Sequence, residues 1–132
     1  MIPSQLHFSL GSCVGPCHEV EWRRGQLLYR HAVGAYLWTA DVALTPDLEA
    51  WARFWRNLET AGVWHWQPHY DNPDLLYGTQ WTLTLKHHEC GVRSDGSNAY
   101  PGSPGPDYSC NGEYARLLKA LRQLTGQPAL RK

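Results

Sequence analysis

Between Thr79 and Lys86 the chain alternates without a break, with Trp81, Leu83 and Leu85 on one parity and Gln80, Thr82, Thr84 and Lys86 on the other. Successive side chains of a strand point to opposite faces, so this run calls for a sheet with one buried and one wet side. Antiparallel sheets are the kind that leave a face to water. Leu6, Phe8 and Leu10 repeat the pattern before Gly11. Val20 and Trp22 repeat it again, and Arg24-Gly25 then offers a tight turn into a run from Gln26 to His31, which reads as a hairpin. Ala35 to Leu44 places Tyr36, Trp38, Ala40, Val42 and Leu44 on one parity and reads as a further strand.

Two segments change period. Thr45-Pro46-Asp47 has the chemistry of a helix start: a capping oxygen, a proline suited to the first helical position and an acid near the positive helix end. From there to about Ala61, Trp51, Phe54, Trp55 and Leu58 fall on one side with Glu49, Arg53 and Arg56 opposite, and Gly62 is placed to end the helix. A second helix is expected from about Asn111, where Tyr114, Leu117, Leu118, Leu121 and Leu124 share a stripe before Gly126 and Pro128. Ser94 to Asp107 holds three glycines, three prolines and three serines and reads as a long irregular loop. The expected architecture is a single α+β domain over residues 1–132. An antiparallel sheet of five or six strands carries both amphipathic helices on one face, in the order three or four strands, helix, two strands, helix.

Charge narrows the function classes. Lys and Arg number 12, as do Asp and Glu, so a polybasic nucleic-acid arm is excluded. Arg116, Lys119, Arg122, Arg131 and Lys132 face only Glu113 near the C-terminus, and a solvated helix face accounts for them. No run approaches the roughly 20 apolar residues of a membrane span, and Met1 to Leu10 lacks a basic and then apolar leader. The expected location is cytoplasmic. No glycine-rich phosphate loop and no Gly-x-Ser-x-Gly elbow is present.

Three constellations carry chemistry. Cys13, Cys17, His18 and Cys90, with His87-His88 beside the last, offer the soft sulfur and imidazole ligands of a zinc site, although their spacing is not that of a zinc knuckle. The four cysteines Cys13, Cys17, Cys90 and Cys110 can be free, bridged or metal-bound; free thiols are the expectation in a reducing compartment. A dense aromatic group, Trp64, Trp66, Tyr70, Tyr77, Trp81, Tyr100 and Tyr108, is flanked by Gln67, His69, Asp71, Asn98 and Asp107. Tyr and Trp give rigid contact area at small entropy cost, which suits a recognition surface.

The segments Gly11-Ser12-Cys13-Val14-Gly15-Pro16-Cys17, Trp64-x-Trp66-x3-Tyr70, Trp81-x-Leu83 and Ser94-x-Gly96-Ser97-Asn98-Ala99-Tyr100-Pro101 resemble small bacterial proteins grouped as a domain of unknown function. The likeness spans about residues 6 to 125 and implies no activity.

The function these residues point to is a non-enzymatic module that binds another protein through Trp66, Tyr70, Asp71, Asn98 and Tyr100, with no cofactor. The alternatives are a zinc- or thiol-dependent enzyme centred on Cys13, Cys17, His18 and Cys90, and stacking of single-stranded nucleic acid or glycan on the aromatic rings.

Overall fold

The computed structural model describes residues 2–12, 15–34, 37–75, 78–102, 105–109 and 112–130. Among these residues, nine strands and two α-helices follow in the order β1 (Gln5–Gly11), β2 (Cys17–Arg23), β3 (Gln26–Ala32), β4 (Val42–Leu44), α1 (Leu48–Ala61), β5 (His69–Asp71), β6 (Gln80–His87), β7 (Cys90–Ser97), β8 (Tyr100–Gly102), β9 (Gly105–Asp107) and α2 (Glu113–Thr125), with a 3-10 turn at Val63–His65 after α1. Seven strands form one sheet in the spatial order β4-β3-β2-β1-β6-β7-β5, and β8 pairs with β9 alone. The fold is α+β.

The strongest alternation becomes the middle of the sheet. In β6, Leu83 lies opposite Phe8 of β1 on one side and Ser94 of β7 on the other. Trp81, Leu83 and Leu85 therefore share the covered face with Leu6, Phe8, Leu10 and Val20, and all are buried. Both helices pack on that face. Trp51 of α1 meets Trp22 edge to face at 5.6 Å, Trp55 stacks on His87 at 3.9 Å, and Tyr114 of α2 lies 5.1 Å from Trp81 and 6.4 Å from Phe8.

Local signals set the element ends. The hairpin between β2 and β3 turns on Arg24 and Gly25, both with positive φ, as a two-residue turn of this twist needs. Asp47, rather than Thr45, caps α1: its carboxylate accepts the Ala50 N–H at 2.8 Å, and Leu48 is the first helical residue. Gly62 closes α1 in the left-handed region, donating its N–H to the last turn. Gly126 does the same for α2. At the start of α2 the cap position is Gly112, without a side-chain bond, and Asn111 lies outside the described residues.

Four expectations change. The main sheet has seven strands, not five or six, because the three-residue β5 joins it beyond β7. The sheet is also mixed, since β5 runs parallel to β7. His88 and Glu89 alone connect β6 to β7, which begins at Cys90. The segment from Ser94 to Asp107 is not irregular: β7 continues to Ser97, and β8 and β9 form a ladder in which Pro101 faces Pro106. Opposed prolines fit where an antiparallel pair exchanges no N–H···O bond, and such pairs alternate with bonded ones. Between Ala35 and Leu44 only Val42–Leu44 is a strand, with a lone bridge from Trp38 to Ala32; Ala35 and Tyr36 lie outside the described residues. Among the described residues, no helix is long and apolar enough to cross a membrane.

Candidate functional site

The residues expected to form a recognition surface do converge, but their rings turn inward. Tyr70 in β5 lies opposite Gly96 of β7, and Asp71 lies opposite Ser97. The segment leading into β5 is stitched to β7: the Ser94 hydroxyl donates to the Gln67 carbonyl at 2.6 Å, and the Asp95 N–H donates to the Pro68 carbonyl at 2.9 Å. This brings Trp66, Tyr70, Trp81, Tyr100 and Tyr114 into one cluster, with neighbouring ring centroids 4.7 to 6.2 Å apart. Trp66 is 8 %, Tyr70 9 % and Tyr100 2 % exposed. Their polar atoms are engaged too, since the Trp66 indole donates to Glu113 at 3.0 Å and the Tyr70 hydroxyl accepts the Gln67 N–H at 2.9 Å. The expected aromatic patch is not made by these rings, because the covered face and α2 supply enough apolar area to enclose them.

Of the five, Asp71 is exposed and Asn98 half-buried. Asn98 holds its own loop: its Oδ1 accepts the Thr79 N–H at 2.9 Å, and its N–H donates to the Thr79 carbonyl at 2.9 Å.

The residues expected as zinc ligands do not meet. Cys17 and Cys90 are free thiols at opposite ends of the sheet. Cys17 lies level with Gly11 and Gln80 while Cys90 lies opposite His87, seven residues along β6 from Gln80 and so roughly 24 Å away. His18 faces the covered side of β2 and Cys17 the other. Cys13 and Cys110 lie outside the described residues. Among the described residues no three His, Cys, Asp or Glu side chains are grouped to hold a metal ion. His18 is buried, and its Nδ1 lies 2.9 Å from the Tyr29 hydroxyl. Burial, and then the neighbouring His31, push the His18 imidazole below its ordinary pKa.

The face of the sheet turned away from both helices carries a different set. Across it run Arg30, Glu19, Ser9, Thr82, Asp95 and His69, one from each strand from β3 to β5. They are tied in groups. Arg30 and His7 both donate to the Glu19 carboxylate, at 2.8 and 3.3 Å. Ser9 and Thr82 share a 2.7 Å hydrogen bond, and His69 Nδ1 lies 2.9 Å from the Asp95 carboxylate. Burial works against the Glu19 carboxylate, yet the bonds from Arg30 and His7 outweigh it and hold its pKa below the ordinary value. The Arg30 guanidinium also sits 4.5 Å over the Trp38 ring.

Two depressions adjoin on this face. One, of about 340 Å³, lies between Trp38, Glu19 and Cys17 and the Ser9–Thr82 pair. The other, of about 430 Å³, lies between Thr82, Asp95, His69 and Asp71. Gln80 and Thr82 belong to both, so they form one trough across the sheet. Reasoning from sequence singles out Asp71 at its end but misses Ser9, Glu19, Arg30 and Thr82. The usable signal was the polar parity of the same strands whose apolar parity defines the core.

Comparison with protein-family models, with curated proteins and with solved structures finds no match for this chain.

Proposed function

We propose that the protein is a non-enzymatic binding module that recognises another protein through the open face of its sheet, from Trp38 and Glu19 to Asp71, rather than through exposed aromatic rings. The observation that carries this reading is the pairing of the polar groups on that face: Arg30 with Glu19, Ser9 with Thr82, His69 with Asp95. Side chains already held by one another lose little rotamer freedom on docking, and pre-organisation of this kind lowers the cost of association. Paired polar side chains around two depressions with largely apolar walls suit the rim-and-core pattern of a protein interface, whose hydrogen bonds set register more than affinity.

The test is affinity capture from the native host with three baits: the wild-type chain, Thr82→Lys with Asp71→Lys on the open face, and Glu49→Lys with Arg53→Glu on the outer side of α1. All three are checked for fold by circular dichroism. A partner retained by wild type and by the α1 variant, with its dissociation constant raised about tenfold or more by the face variant, is the expected result. Equal capture by all three overturns the assignment of the surface.

A further inference from the structure

A second cavity opens at the other side of the strand ends, between the sheet and the segment that follows α2. It measures about 430 Å³, within the range of small-molecule sites. Leu10, Pro16, Val33 and Ala129 give it apolar walls, and His18 and His31 both line it. Its far wall is fixed, because Leu130 is fully buried and the Arg122 guanidinium donates to the Leu130 carbonyl at 3.2 Å.

The two imidazoles face each other from neighbouring strands, in register, with centroids 6.3 Å apart. Tyr29 holds His18 by Nδ1, which leaves Nε2 as the nitrogen with no protein partner among the described residues. Across β3, the Thr39 N–H donates to the His31 carbonyl at 2.8 Å and pins that strand end. A half-enclosed apolar space with two imidazole donors on one wall selects an acceptor-rich head group on an apolar body. No Asp, Glu, Lys or Arg lines the cavity among the described residues. Among the described residues a doubly charged phosphate finds no guanidinium or ammonium partner on these walls, whereas a carboxylate, with one charge and two acceptor oxygens, matches two imidazole N–H groups.

We infer that this cavity is a binding site for a small carboxylic acid with an apolar body, its carboxylate held between His18 and His31. The cavity adjoins the trough, sharing Leu10, Gly11, Ser12 and His18 with the depression beside Trp38, but His31 and Ala129 line it and not that depression, so the His31 test stands or falls independently of the protein-binding reading.

The test titrates the full chain with 2-naphthoate and, as the uncharged analogue, 2-naphthylmethanol, read by calorimetry and by the imidazole NMR signals. Naphthoate should shift the His18 and His31 signals saturably and bind about tenfold or more tightly than the alcohol. His31→Gln, at the half-buried position, should keep the fold and weaken naphthoate by a similar factor. His18→Gln serves as the second variant, and Asp71→Lys should leave naphthoate binding unchanged. Absence of a saturable shift, equal affinity for acid and alcohol, or unchanged affinity in folded His31→Gln overturns the inference.

Discussion

The Trp81 indole lies across Gly96 on the neighbouring strand and donates its Nε1–H to the Ala99 carbonyl at 3.0 Å. A Cβ on residue 96 would overlap the indole nitrogen and the Ala99 carbonyl, so glycine is required there by its neighbours rather than by its own backbone. Gly96→Ala should cost about 2 to 3 kcal/mol through overpacking of the covered face. Urea denaturation measures it. A loss under about 0.5 kcal/mol, the level of an ordinary surface change, would mean that the indole does not lie over this strand.

Asn98 and Thr79 exchange two hydrogen bonds while Asn98 occupies the left-handed region at φ 55°. Removing the amide forfeits one bond, and a Cβ without a polar group also tolerates that backbone poorly. The expected stability order is Asn98, then Asn98→Gly, then Asn98→Ala, with the last about 2 kcal/mol below wild type. Thermal melts of the three proteins decide it, and alanine matching or exceeding glycine would contradict the geometry.

His18 and His87 both have pKa values lowered from 6.5, His18 by burial and then His31, His87 by burial and then His88. Below pH 6.5 the unfolded chain takes up these protons before the folded one does, so folding is penalised there. Stability from this source is whole above pH 6.5 and declines as pH falls from 6.5 through the folded values. His18→Gln should flatten part of that slope and His87→Gln a further part, as read by denaturation at pH 5, 6, 7 and 8. An unaltered slope in both variants would show that neither imidazole resists its proton.

The Glu19 carboxylate titrates below 4.5 because Arg30 and His7 together outweigh its burial. Its contribution is complete above 4.5 and lost as pH falls through the lower folded value, because the unfolded chain binds the proton first. Glu19→Gln should cost about 1 kcal/mol at pH 7, and the gap to wild type should narrow below pH 4.5. Paired denaturation curves at pH 7 and pH 3.5 check both halves of the statement; a gap that widens on acidification would reverse the assigned sign.

Parity was readable for β1, β2 and β6 because each alternates apolar with polar residues, and the α1 stripe was readable because its apolar residues recur at helical spacing. What parity cannot express is how much cover a face receives. Tyr70 and Tyr100 look like surface residues beside Asp71 and Asn98, yet Tyr70 packs on Trp81 and Tyr100 on Tyr114 of α2. The parallel pairing of β5 with β7 joins segments more than twenty residues apart through backbone bonds, which leave no mark on side-chain periodicity. The polar row of the open face was present in the same strands but carries no pattern that distinguishes a site from ordinary wet positions.

Both rims of the large sheet end in three-residue strands, β4 and β5. A second copy approaching edge-on would find only a few rungs on which to propagate a shared ladder. With its margins so short, the sheet keeps one face open to solvent while offering little purchase at those margins for growth into fibres.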